Sequence, residues 1–267
     1  MTLVQSVVLG LVQGATEFLP ISSSGHLVIV PAIFGWEAPP VAFDVLQHLG
    51  TLVAVIIYFR HELSEVVLGL LTRGAERAPA RRLGWLLVAG TVPTAIIALA
   101  FDDLFESLFT ELLYVGVFMV LTAVILTAAE RLSRKDVHDS AQMKWWQAAL
   151  VGVAQGAAIA PGISRSGATI AAGLGLGLDR EQAARFSFLL SIPAIAMASA
   201  WALTSVVSGE VTMPDPLVSL AGFLAAAASG YVVIAGLLAY LRRRTLYPFA
   251  VYCAVVGVAV VAWQVLG

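Results

Sequence analysis

Two stretches of this chain carry the residues whose types and spacing can do chemistry. The first reads Gln13-Gly14-Ala15-Thr16-Glu17-Phe18-Leu19-Pro20-Ile21-Ser22-Ser23-Ser24-Gly25-His26. On a helical arm, Gln13 and Glu17 lie four apart and share a face. Pro20 lacks the backbone donor needed to continue that arm. The serine run then offers hydroxyls and helix N-caps. His26 can serve as base, nucleophile or metal ligand near neutral pH. The second stretch reads Pro161-Gly162-Ile163-Ser164-Arg165-Ser166-Gly167-Ala168-Thr169. Here Ser164 can cap a helix whose free N–H groups attract anions. The planar fork of Arg165 matches phosphate oxygens, and Ser166 and Thr169 add donors. Together these groups form a phosphate cradle. Glu17 beside it would repel a phosphate unless a cation intervened. A carboxylate, the Gln13 amide oxygen and substrate oxygens suit Mg²⁺ or Ca²⁺.

These groups must be positioned by elements in lipid. The chain has 267 residues, 60% hydrophobic and 12% charged, with a mean hydropathy of +0.91. Soluble domains carry roughly 25% charged residues, so this composition describes an integral membrane protein. It excludes a cytosolic enzyme, a secreted disulfide scaffold and a disordered regulator. The lone Cys253 can form no internal disulfide, and a net charge of -2 gives no electrostatic case for nucleic acid. Crossing a ~30 Å hydrocarbon core takes about 20 apolar residues. Six stretches suffice: Val41–Phe59, Leu83–Phe101, Leu112–Ala129, Phe186–Gly209, Leu217–Leu241 and Thr245–Gly267. Their continuous apolar character argues against an outer-membrane barrel. Met1–Thr16 has no Lys or Arg, so it is not expected to be a cleavable signal peptide. Alternating the loops across six spans puts all but one of the 15 basic residues on one side, expected to be cytoplasmic. Both termini then face outward. The exception is Arg165, which sits in the otherwise apolar Trp145–Leu178 region, where a charge is expensive.

Met1–Gly35 and Trp145–Leu178 each read as two short apolar arms around a Pro/Ser/Gly turn. Arms such as Leu27–Gly35 and Ile170–Leu178 are too short to cross at about 1.5 Å per residue. The two regions are also related in sequence. Gln13-Gly14-Ala15 matches Gln155-Gly156-Ala157, Ile21-Ser22 matches Ile163-Ser164, and Ser24-Gly25 matches Ser166-Gly167. All share an offset of 142 positions, as from 13 to 155. Phe43 and Leu46 match Phe186 and Leu189 one position further on. The expected fold is therefore an all-α polytopic membrane protein, with six spanning helices and two re-entrant helical hairpins. It forms a single membrane domain over residues 1–267, in two repeats, 1–129 and 145–267, joined by a cytoplasmic connection, 130–144. Three spans follow each hairpin, so the repeat is inverted. Broken helices of inverted repeats meet at the bilayer midplane in transporters, and irregular backbone at that depth lines a cavity.

Structural alternatives stand beside these readings. The repeat can be a small-residue packing motif. Arg165 can be a buried partner for Glu17 that closes the hairpins on each other, and His26 can simply bond a carbonyl. Gln13 and Gln155 can tie helices together. Asp44, Gln47 and His48, at the start of one span, are read as structural or as supporting the site, and His61 and His138 as solvated loop residues.

The segments Gln13–His26 and Pro161–Thr169 resemble the two signature motifs of the undecaprenyl-diphosphate phosphatase family, the bacitracin-resistance type. Ala183-Ala184-Arg185-Phe186-Ser187-Phe188-Leu189-Leu190-Ser191-Ile192-Pro193-Ala194 resembles a further family stretch. The resemblance covers essentially the whole chain. It implies an inner-membrane enzyme that removes the terminal phosphate of undecaprenyl diphosphate and so recycles the carrier for wall polymers, which counters bacitracin. Its partners would be the polyprenyl diphosphate and membrane lipid; a homodimer stays open. The family pattern places the motif's acid, serine and histidine at Glu17, Ser23 and His26, and its phosphate-binding Ser, Arg and Thr at Ser164, Arg165 and Thr169. With the residue reading, Glu17, Ser23, His26 and Arg165 are expected to be catalytic, Ser164, Arg165, Ser166 and Thr169 to bind phosphate, and Glu17 with Gln13 to hold the divalent cation. Gln13 stands where many members have Glu. Attack comes from Ser23 activated by His26, from His26 itself, or from water that both position. The alternative activity is a polyprenyl-phosphate flippase, which the inverted repeat also suits.

Overall fold

In the computed structural model the chain is described at residues 1–72, 74–108, 111–133, 139–207 and 215–266. Arg73, Arg134, Lys135, His138, Glu210 and the far ends of two expected spans, Gly209 and Gly267, lie outside these. Twelve α-helices run through the described residues. They are α1 Leu3–Phe18, α2 Ser23–Phe34, α3 Val41–Tyr58, α4 Arg60–Leu71, α5 Ala78–Ala100, α6 Asp102–Leu108, α7 Leu112–Leu132, α8 Trp145–Ala157, α9 Arg165–Gly175, α10 Arg180–Val207, α11 Pro216–Leu241 and α12 Tyr247–Leu266. No strand occurs among the described residues. Six segments are long and apolar enough to cross a membrane: Val41–Tyr58, Ala75–Ala100, Leu112–Leu132, Arg180–Ala202, Pro216–Leu241 and Tyr247–Leu266. The protein is thus an all-helical, multi-pass membrane protein.

Two helix boundaries differ from the apolar runs for one physical reason. α10 begins at Arg180 rather than Phe186, because the charges of its first turns are paired. Arg180 donates to both carboxylate oxygens of Glu130 on α7, and Arg185 to Glu62 on α4. Likewise α5 starts at Ala78, with Pro79 in its first turn and Arg82 bonded to the carbonyls of Ala141 and Met143. Helices α4 and α6 lie where the sequence suggested only loops. Arg242 at the end of α11 pairs with Glu181 at the start of α10. Such cross-links gather the basic segments at one end of the bundle.

The two hairpins, α1–α2 and α8–α9, come in from opposite ends. Ser6 on α1 bonds the Val218 carbonyl at the start of α11, away from the basic end. Gln147 on α8 bonds the Leu176 carbonyl beyond α9, and the Met143 carbonyl before α8 receives Arg82 at the basic end. The four arms have 16, 12, 13 and 11 residues. At 1.5 Å each they reach only about 17–24 Å, short of the ~30 Å core. Inside, each first arm packs on a long helix of the other half, α1 along α11 and α8 along α5. A Cβ on Gly10 would meet the Gly222 carbonyl, and one on Gly152 the Gly90 carbonyl, so only glycine permits these approaches. Positions 10 and 152 share the hairpin offset. Gly116 of α7 and Gly257 of α12 face each other reciprocally, each against the other's carbonyl. This packing is compatible with an inverted repeat. At the centre lies α10, whose Phe186, Phe188, Leu189 and Leu190 are wholly buried, with Phe188 edge-on to Phe18 at 5.2 Å.

Candidate active site

The turns of the two hairpins touch. Each ends in a serine N-cap built the same way. Ser22 Oγ accepts from the Gly25 N–H and lies 3.3 Å from Ser24 Oγ. Ser164 Oγ accepts from the Gly167 N–H and lies 3.2 Å from Ser166 Oγ. Across the junction Ser166 donates to the Leu19 carbonyl at 2.8 Å. Thr122 of α7 fixes the second turn, donating to the Gly162 carbonyl and accepting from the Ser164 N–H. The N-termini of α2 and α9 therefore converge on one place. Each cap satisfies one first-turn donor, and the converging helix ends favour negative charge there.

Glu17, at the last turn of α1, is the hub. Arg165 Nη2 donates to its Oε1 at 2.7 Å. Ser23 and Gln13 donate to its Oε2 at 2.6 and 3.0 Å. His48 Nε2 from α3 stands 3.9 Å from the same oxygen. The ion pair is largely buried, with side-chain exposures of 17% for Arg165 and 5% for Glu17. The structural alternative, Arg165 as partner of Glu17, is therefore realised. It uses only part of the guanidinium: Arg165 Nη1 is buried with no hydrogen-bond partner. Gln13 Oε1 is also buried without one, as are both amide atoms of Gln47. Buried polar atoms are ordinarily satisfied, so the two beside the Glu17 carboxylate, Arg165 Nη1 and Gln13 Oε1, are free to take a polar ligand; Gln155 Oε1 on α8, bonded elsewhere to Thr94, is unpartnered as well.

The remaining candidates are placed as follows. His26 is buried on α2, with Nδ1 2.7 Å from the Ser22 carbonyl and Nε2 2.8 Å from the Tyr252 hydroxyl of α12. It makes no hydrogen bond to Ser23, whose hydroxyl is turned to Glu17. The pairing of Ser23 with His26 considered from the sequence is absent from this arrangement. Ser164 is a cap, as its position suggested. Thr169 lies one turn along α9 from Arg165, but its hydroxyl donates back to the helix and lies 2.6 Å from Ser187 Oγ on α10. Gln155 bonds Thr94 of α5, tying helices together.

The family model for bacitracin resistance protein BacA matches residues 6–259. The chain belongs to this family. Among its relatives in the family, an undecaprenyl-diphosphatase of Methanosphaera stadtmanae is 40% identical, covering 99% of each chain. One of Carboxydothermus hydrogenoformans is 44% identical over 98% of each. Another, of Syntrophotalea carbinolica, is 44% identical over 96% of this chain and 97% of its own.

Among the described residues no group of three or more His, Cys, Asp or Glu is placed to hold a metal. The donors available to a cation are the Glu17 carboxylate, the unpartnered Gln13 Oε1 and the Ser23 hydroxyl. That set is too small for an all-protein cage. It fits a cation that takes most of its ligands from water and substrate oxygens, as Mg²⁺ commonly does.

Three residues at the site were given no catalytic role from the sequence. His48 was read as merely supporting, and the hint available was its spacing from Asp44 at the start of a span. Ser22 is the only non-glycine described residue with positive φ, at 72°. Such strain gathers at functional sites and leaves no mark on composition. Tyr252 is an aromatic in an apolar helix, and only folding brings it to His26.

Proposed function

We propose that this protein is an undecaprenyl-diphosphatase of the inner membrane. It hydrolyses undecaprenyl diphosphate to undecaprenyl phosphate and inorganic phosphate, recycling the carrier lipid and conferring resistance to bacitracin. The observation that carries this reading is the guanidinium of Arg165, anchored to Glu17 through one nitrogen and unpartnered at the other, at the junction of two helix N-termini. A guanidinium so held among apolar helices suits a diphosphate on a prenyl chain. The relatives' names point to the same substrate. The basic end of the bundle is then cytoplasmic and the termini outward, with both hairpins re-entrant.

In this reading Arg165 Nη1 and the N-termini of α2 and α9 bind the terminal phosphate. They stabilise the charge that spreads over its oxygens during transfer. Ser164 and Ser166 hold the second turn so that Arg165 cannot drift, and Thr169 ties that helix to α10. Glu17 and Gln13 would hold Mg²⁺ or Ca²⁺, which supplies neutralisation of the diphosphate charge. Ser23, its proton donated to Glu17, is left as an acceptor that orients the attacking water. The water oxygen bonds the terminal phosphorus and gives a proton to His26 Nε2, while the P–O bond to the bridging oxygen breaks and undecaprenyl phosphate leaves with its electron pair. A phosphate-release assay on undecaprenyl diphosphate tests this. The parent releases phosphate, and correctly inserted Glu17→Ala and Arg165→Ala proteins do not. Parental rates in those variants would overturn the site. Lipid translocation in liposomes without phosphate release would favour the flippase.

A further inference from the structure

The imidazole of His26 is held at both nitrogens. Nδ1 lies 2.7 Å from the Ser22 carbonyl oxygen, an atom that can only accept. A neutral His26 therefore carries its proton on Nδ1, and Nε2 is a lone pair. The Tyr252 hydroxyl, 2.8 Å from Nε2, must then be the donor. The two rings also stack, with centroids 5.7 Å apart and planes 9° apart. The carbonyl that selects the tautomer belongs to Ser22, whose backbone is held at φ 72°. Tyr252 itself is half-exposed on the bundle surface while His26 is buried, so the phenol also shields the imidazole from lipid.

We propose that Tyr252 is a positioning residue for the hydrolysis. Its ring sets the plane of the His26 imidazole, and its hydroxyl keeps Nε2 an acceptor until the attacking O–H takes its place. Ser22 and Tyr252 thus act as a pair, one defining which nitrogen is free and the other where it points. The orienting partner of a catalytic histidine is commonly a carboxylate or carbonyl on one nitrogen only. Here the second partner comes from α12, 226 residues away in sequence. This inference rests on the reading of His26 as proton acceptor.

The test is a double-mutant cycle on purified protein in detergent micelles, with undecaprenyl diphosphate as substrate and only the monodisperse fraction assayed. Tyr252→Phe keeps the ring and its packing and removes the hydroxyl. It is expected to lower kcat about tenfold, the weight of one hydrogen bond. KM should stay within about twofold, as for a loss confined to the transition state. Tyr252→Leu, which also removes the stack, should lose more. In a His26→Ala background, Tyr252→Phe should cause no further loss, because the group it positions is gone. A parental kcat in Tyr252→Phe, or an equal loss with and without His26, overturns the proposal. If His26→Ala itself keeps parental activity, the role given to His26 fails first, and the two failures are told apart.

Discussion

Removing Arg165 should damage folding and catalysis together, and the two can be separated by a second substitution. Arg165 and Glu17 form an ion pair at 2.7 Å between largely buried side chains. For charges about 4 Å apart at an effective dielectric near 20, their attraction is about 4 kcal/mol. Arg165→Met leaves Glu17 buried as a carboxylate, with the neutral donors of Gln13 and Ser23 and with His48 at 3.9 Å. Stranding one member of a buried pair costs about 3–5 kcal/mol. Adding Glu17→Gln removes the stranded charge. Its amide oxygen can still accept from Ser23, and replacing both members of a buried pair is often near neutral. The double variant should therefore recover most of the lost thermal stability in detergent micelles. Phosphate release should not recover. Both variants lack the guanidinium on the transferring phosphate, whose loss alone lowers kcat by about 10²–10³, and the double variant also lacks the Glu17 carboxylate. Thermal unfolding and phosphate release, measured on the same preparations, decide the matter. A double variant that regains activity would reduce Arg165 to a structural partner. A single variant as stable as the parent would show that the buried pair does not hold the hairpins together.

Other outcomes follow from the packing and the donor set. Gly152→Ala should prevent α8 from closing on α5, because the new Cβ would collide with the Gly90 carbonyl oxygen. Gly175→Ala, with nothing within 4 Å, should be tolerated, and size-exclusion profiles will show the contrast. Glu130→Ala removes the carboxylate shared by Arg180 and the Leu246 N–H. It should lower stability by roughly 3 kcal/mol, as for other broken buried pairs, while kcat of the folded fraction holds. A parallel loss of kcat would place Glu130 in the site. EDTA should stop phosphate release, and Mg²⁺ or Ca²⁺ should restore it; release that EDTA leaves untouched would remove the cation from the scheme.

The spans were legible because lipid imposes length and apolarity together, and six segments of both kinds fold as helices. Their ends were less so. Apolar runs stop at the first charge, but Arg180 and Arg185 continue α10 by pairing with Glu130 and Glu62. Helix α4, with Arg60, His61, Glu62 and Glu65, was hidden by that same polarity. At the site, Glu17 and Arg165 stood out because charge is rare inside such a chain. Their contact was legible only as one of two options, since a pocket Arg and a salt-bridge Arg have the same sequence. The hairpin relationship was read from identities in and just before the turns, with Phe43 and Leu46 beyond them. Gln5 and Gln147 lie at the same offset, and each accepts a hydrogen bond from the backbone three residues before it. Gly10 and Gly152 also match, but a glycine in an apolar helix gives no sign of what it approaches. Tyr252 could not be found at all, because its function depends wholly on where α12 lands.

The junction pairs like with unlike. Its two turns are built alike, serine cap for serine cap, yet the position matched to Glu17 is Ile159, that matched to Arg165 is Ser23, and that matched to His26 is Ala168. In two identical half-length chains meeting in the same way, position 17 of each copy would face position 23 of the other, so every charged pair would occur twice. Here it occurs once, because Ser23 and Ile159 stand at the matched positions. The two turns therefore carry a single guanidinium and a single imidazole, and can orient one phosphate in one way. Linking the halves in one polypeptide lets the matched positions differ and fixes the one-to-one ratio that unlike partners require.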